Sequence, residues 1–92
     1  MFVLITYDIP DTPRRTKLAK ILLDYGERVQ YSVFECNLTA KQRAALQKEI
    51  EKLISDEKDS VRIYQLCADC VKIIKALGKA EGPEDDPTLY LV

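Results

Sequence analysis

Residues 2–7 read Phe-Val-Leu-Ile-Thr-Tyr, a β-rich apolar run without strict alternation, and such a run belongs to a strand covered on both of its faces. A chain that opens on this strand has to supply a layer for each side of it. Alternation puts Phe2, Leu4, Thr6 and Asp8 on one face and Val3, Ile5 and Tyr7 on the other. The length of 92 residues points to a single domain over residues 1–92, with its core in 1–67. The run is far short of the roughly 18 apolar residues of a membrane span, and no charged leader with a small-residue cleavage site precedes it. The expected location is therefore cytoplasmic, with no membrane partner.

After the strand, Asp8-Ile9-Pro10-Asp11-Thr12-Pro13 punctuates the chain. Pro10 holds Ile9 extended, and Thr12 followed by Pro13 reads as an N-cap with proline at the first helical position. Leu18, Ile21, Leu22 and Tyr25 recur at helical spacing on one core face, and Gly26 reads as the left-handed stop. Residues 28–38 are β-branched and aromatic with a polar break at Tyr31-Ser32, giving two short strands or one sharply bent strand. Thr39 and Gln42 form a capping box for a second amphipathic helix carrying Leu46, Ile50, Leu53 and Ile54 to about Ser55. Ser60 to Leu66 returns to a strand pattern.

The order β-α-β-β-α-β is the α+β, ferredoxin-like arrangement, in which both helices cover one sheet face. The other face would be left bare and apolar, a liability in water. A short helix over Ala68–Lys79, an acidic Gly/Pro loop over Glu81–Pro87 and a terminal strand over Leu89–Val92 complete the chain. These features predict a homodimer packed sheet to sheet, with residues 68–92 completing it and the additional C-terminal strand joining the edge of the partner's sheet.

Histidine is absent, so the usual general base and zinc ligand are missing and any catalysis rests on carboxylates or a metal. A net charge of −1 argues against coating nucleic acid by bulk charge, which leaves local patches. Asp8, at the end of the first strand, can project beside a ligand or metal; by periodicity alone Asp8 and Asp11 are first of all turn formers. Arg14, Arg15, Lys17 and Lys20 form a run of cations without an acid, two of them in the first helical turn where anions are welcome. Such a run is either a solvated face or a phosphate-binding patch. Arg28, Tyr31 and Phe34 could add a guanidinium and stacking surfaces, although strand aromatics usually belong to a core. Cys67-Ala-Asp-Cys70 has CxxC spacing, but with Cys36 as the remaining cysteine and no secretion signal the expectation is buried, reduced, structural thiols. The acidic cluster Glu81, Glu84, Asp85 and Asp86 suits a basic protein partner better than nucleic acid.

The segments MFVLITYD, IPDTPRRTKLAKIL, GERVQYSVFE and Val61-Arg-Ile-Tyr-Gln-Leu-Cys67, in this order and at this total length, resemble the CRISPR-associated protein two family, the small subunit of the spacer-acquisition machinery. The resemblance implies a ferredoxin-like homodimer and a divalent metal, Mg2+, at Asp8, the expected catalytic and metal-binding residue. It implies a metal-dependent endonuclease on single-stranded RNA or double-stranded DNA, and a bridge between two dimers of the CRISPR integrase. Tyr7, Arg15, Arg28, Ser32 and Phe34 match the family's positions, while Lys17 stands where many members have arginine. Nucleic-acid binding is thereby expected of Arg14, Arg15, Lys17 and Arg28, with Tyr7, Ser32 and Phe34 in support. A non-catalytic adaptor, or a toxin ribonuclease of the virulence-associated protein D type with the same fold and dimer, are the alternatives.

Overall fold

The computed structural model of the chain describes residues 1–78. The loop expected over Glu81–Pro87 and the strand over Leu89–Val92 lie outside the described residues. The elements are β1 (Phe2–Asp8), α1 (Thr12–Leu23), β2 (Gly26–Gln30), β3 (Val33–Asn37), α2 (Ala40–Leu53), β4 (Ser60–Leu66) and a short α3 (Ala68–Lys72). The sheet is open, antiparallel and four-stranded, in the order β2-β3-β1-β4. β1 is thus an inner strand, paired with β3 from Phe2↔Asn37 to Thr6↔Val33 and with β4 from Phe2↔Leu66 to Asp8↔Ser60.

Val3, Ile5 and Tyr7 on one face of β1 cluster with Phe34 and Cys36 of β3, Leu18, Ala19 and Leu22 of α1, and Leu46 and Ile50 of α2. Both long helices therefore lie on the same side of the sheet. Burying side chains of this size contributes about 1.5–3 kcal/mol each, and this two-helix layer is the main core. α1 starts one residue earlier than the spacing predicts, because Asp11 and not Thr12 is the cap: its Oδ2 accepts the Arg14 backbone N–H at 2.9 Å. A carboxylate at that position also offsets the cost of Arg14 and Arg15 in the first turn. The Thr39–Gln42 capping box of α2 is present in both directions, at 3.1 and 2.9 Å.

Gly26 is not a left-handed helix stop. Among the described glycines only Gly78 has positive φ, and α1 closes instead through the Asp24 N–H, which donates to the Ile21 carbonyl at 3.1 Å, and the Tyr25 N–H, which donates to the Leu22 carbonyl at 3.0 Å. Gly26 opens β2 opposite Cys36, where a Cβ would stand 2.5 Å from the Cys36 Sγ and 2.8 Å from its Cα. Closeness of approach, and not backbone handedness, is what requires glycine there.

Residues 28–38 form two strands joined at Tyr31-Ser32, with a register shift between Arg28 and Gln30 that makes Val29 a bulge. The open face carries Leu4 and Thr6 with Glu35 and Val33 of β3 and Tyr64 and Arg62 of β4. The chain itself covers part of it. α3 ends at Lys72, well before the expected Lys79, and Ile74, Lys75 and Ala76 then share a groove of about 480 Å3 with Leu4, Val33 and Glu35. Val71 is buried yet stands apart from the two-helix core. The β-branched residues Val71, Ile73 and Ile74 are weak helix formers, which fits the early end of α3. Cys67 and Cys70 are exposed, correcting the expectation of buried thiols, because the cysteines sit at the outer end of β4 and the start of α3.

Gly26→Ala should destabilise the fold by about 1–3 kcal/mol through overpacking, read as a lower denaturant midpoint with an unchanged slope.

Candidate functional site

β1 delivers two consecutive side chains to opposite sides of the sheet at its C-terminal end. Tyr7 turns into the core and Asp8 is exposed. Tyr7 holds the β2–β3 turn twice: its N–H donates to the Ser32 carbonyl at 3.1 Å and its Oη donates to the Tyr31 carbonyl at 3.2 Å. Its ring stacks on Phe34 with centroids 6.3 Å apart. Above them the Arg28 guanidinium lies 5.3 Å from the Phe34 ring centroid, with Nη2 donating to the Tyr7 Oη at 3.5 Å. Phe34 is fully buried, so its place is beneath Arg28 and it offers no stacking surface to a ligand.

A groove of about 510 Å3 opens beside this stack, lined by Asp8, Arg15, Lys20, Arg28, Tyr31 and Ser32 among others. Arg15 is fixed by its own loop: Nη1 donates to the Ile9 and Pro10 carbonyls at 2.8 and 3.3 Å, and Nη2 to the Thr12 Oγ1 at 3.0 Å. A guanidinium has five N–H donors, so these bonds orient it and leave donors for a ligand. Thr16 and Lys20 share the groove-facing side of α1 at i, i+4 spacing. Three cations and one carboxylate thus border a single concavity.

Arg14 and Lys17 do not line that groove, which divides the basic run expected from the sequence. Arg14 is engaged by Asp59, Nε donating to Oδ2 at 2.7 Å and Nη2 to Oδ1 at 3.1 Å, and it lies 3.6 Å from Asp11. The Asp59 side chain is out of contact with solvent and also accepts the Ser55 N–H at 2.8 Å. These hydrogen bonds, led by that from Arg14, hold the Asp59 carboxyl below the usual carboxylate range and raise Arg14 above its ordinary value. Asp59 is far from the run in sequence, and no local spacing links the two. Of the run offered as a phosphate-binding patch, Arg15 and Lys20 reach the groove, and of the aromatics offered as stacking surfaces only Tyr31 does; Thr16, which the sequence reading did not single out, joins Lys20 there at i, i+4 spacing. Tyr31 is 93% exposed at the groove's rim.

A magnesium ion takes one or two carboxylates together with waters and phosphate oxygens and needs no all-protein cage. Among the described residues no group of three His, Cys, Asp or Glu gathers, so one chain offers Asp8 as a single carboxylate. The residues fit such an ion where a second copy or a phosphate supplies further oxygens. Among the described residues no helix is long and apolar enough to cross a membrane.

Fold and site together define a small α+β protein with an open antiparallel sheet and a cation-lined groove beside the acidic end of its first strand. The family model described as CRISPR associated protein Cas2 matches residues 1–74. The chain is 44% identical over 93 residues, covering 100% of both, to the CRISPR-associated endoribonuclease Cas2 1 of Chloroflexus aurantiacus. It is similar to the crystal structure of Streptococcus pyogenes Cas2, with a TM-score of 0.74 and 36% identity over 85% of this chain and 100% of that one. It is also similar to a chain of a partial Cas6-RT-Cas1–Cas2 complex, with a TM-score of 0.72 and 32% identity over 83% and 89% of the two chains. The chain belongs to the Cas2 family of CRISPR-associated proteins.

A carboxyl held below its unfolded value takes up its proton later on acidification than the unfolded chain does. The Asp59–Arg14 contribution to stability is therefore whole above about pH 4 and is lost as pH falls through the lowered value. Asp59→Asn should lower the melting temperature at neutral pH and flatten this acid limb, as read by melting curves across pH.

Proposed function

We propose that the chain is a nuclease acting on phosphodiester bonds of single-stranded RNA, double-stranded DNA or both, and that it also serves as the bridging subunit of a spacer-integration complex. The carrying observation is the exposed Asp8 carboxylate at the border of a groove whose cations are Arg15, Lys20 and Arg28. The endoribonuclease name of the Chloroflexus relative supports the first role, and the Cas1–Cas2 complex supports the second, with a Cas1-type integrase as partner. In this reading the chain is a ferredoxin-like homodimer, one domain over residues 1–92. The open sheet face with Leu4, Val33 and Tyr64 forms the interface and brings two copies of Asp8 together across the twofold axis.

Phosphates are held by Arg15 and Arg28, whose forks are pre-oriented by their own hydrogen bonds, and by Lys20 as a point charge. Lys17, exposed on the same helix but outside the groove, and Arg14, committed to Asp59, contribute less. Asp8 is the ligand for Mg2+, whose chemistry when bound is Lewis-acid activation of water and neutralisation of phosphate charge. Tyr7 and Phe34 set the height of Arg28, and Ser32 anchors the turn through its carbonyl. No histidine stands by to protonate the leaving oxygen, and the Tyr7 hydroxyl is committed to a backbone carbonyl. Hydrolysis should accordingly be slow.

That same economy of acids favours a second reading, a non-catalytic adaptor whose groove lies along DNA. Cleavage of labelled single-stranded RNA and duplex DNA, with and without magnesium, separates the two. Wild type should cut only with magnesium, and Asp8→Asn should lose most of that magnesium-dependent rate. Cutting that persists unchanged in Asp8→Asn overturns the catalytic reading. Absence of cutting by both proteins, with duplex binding retained, leaves the adaptor. The dimer is tested separately: Tyr64→Glu, placed on the open face, should shift the full chain from dimer to monomer in sedimentation experiments.

A further inference from the structure

Cys67 and Cys70 stand outside the groove and take no part in the reading above. Both are exposed, and their Sγ atoms lie 3.4 Å apart in a thiol–thiol hydrogen bond. A disulfide needs an S–S distance of about 2.0 Å, so the two exposed sulfurs, at 3.4 Å, stand close to bonding range. Zinc wants four ligands, and no group of three candidate ligands gathers among the described residues, so thiol chemistry is what this pair supports.

The position of the pair gives its closure a consequence. Cys67 is the extended residue at which the chain leaves β4, with φ −72° and ψ 165°, and Cys70 stands in the first turn of α3. The Val71 N–H donates to the Cys67 carbonyl at 3.0 Å and the Ile73 N–H to the Cys70 carbonyl at 3.3 Å. The two cysteines therefore carry acceptors for the turn that seats the buried Val71 and sends residues 74–76 back over the open sheet face.

We propose that Cys67 and Cys70 form a reversible dithiol–disulfide site that takes its oxidising equivalents from a small disulfide and clips the first turn of α3 to the end of β4. The Cys67 thiolate attacks one sulfur of the small disulfide, forming a mixed disulfide and releasing one small thiolate. The Cys70 thiolate then attacks the Cys67 sulfur, closing the protein disulfide and releasing the second small thiolate. Two protein thiols are oxidised, one small disulfide is reduced to two thiols, and the two protons pass from the cysteines to the released thiolates. Hydrogen bonds from the Cys70 backbone N–H and thiol hold Cys67 below the ordinary thiol range, while its bond to Cys67 pushes Cys70 up. That difference fits Cys67 as the attacking group and Cys70 as the resolving one.

The test uses the full chain equilibrated in glutathione buffers of graded redox ratio, quenched in acid, alkylated and analysed by mass. The expected product has lost two hydrogen atoms, with Cys67 linked to Cys70 and Cys36 still alkylated after unfolding. Cys70→Ser should arrest with one glutathione on Cys67, and amide exchange at Val71 and Ile73 should slow in the oxidised chain. Full alkylation of both cysteines in the most oxidising buffer overturns the site. Glutathione accumulating faster on Cys70 of Cys67→Ser than on Cys67 of Cys70→Ser overturns the assignment of roles. Equal exchange rates in the two redox states overturn the clip.

Discussion

The groove is organised around the C-terminal end of one strand. β1 is hydrogen-bonded along both edges and buried on one side by two helices, so its C-terminal end is among the best fixed places in the fold. The alternation of a pleated strand then does the rest, turning Tyr7 inward and leaving Asp8 outward. Through the two bonds that Tyr7 sends to the Tyr31-Ser32 turn, a neighbouring hairpin is tied to that same reference point. The cation of Arg28 rides on the resulting Tyr7–Phe34 stack. Functional side chains on three separate elements are thereby set against a rigid backbone, although two of them reside at a loop or hairpin edge.

The distribution of positive charge follows a similar economy. Arg14 and Arg15 are neighbours in sequence with opposite fates. Arg14 spends its fork on Asp59, joining the start of α1 to the turn before β4, whereas Arg15 folds back on the loop that leads out of β1. One closes the structure and the other frames the groove. Lys20, a turn and a half further on, brings the third cation.

Much of the architecture was legible in the residues. The six-element order, the inner position of Phe2–Tyr7, the Thr39–Gln42 capping box and the Leu18, Ile21, Leu22 and Tyr25 face all follow from periods and caps, which are local. What escaped was governed by partners distant in sequence. Gly26 looked like a helix terminator because glycine after an apolar face usually is one, and only its seat opposite Cys36 shows the steric cause. Asp59, forty-five residues from Arg14, gave no spacing by which to withdraw that arginine from the phosphate-binding set. Asp11 displaced Thr12 as cap because either residue can do it, and the choice lies in loop geometry. The candidate site was legible as a list of residues, Asp8, Arg15, Lys20, Arg28 and Tyr31 among them, but which of the listed cations and aromatics share one concavity needed the groove.

The bulge at Val29 has a bearing on how far this sheet can grow. β2 and β4 are the two outer strands, and they differ in regularity. β2 is five residues long and loses its register at Val29, which twists its free edge away from the straight ladder another chain would need. β4 runs seven residues in unbroken register with β1. Among the described residues the two rims of the sheet therefore differ: β2 carries an irregular outer edge and β4 a regular one. A bulged edge resists an added strand and a regular one accepts it, so the sheet's two sides are unequal as templates.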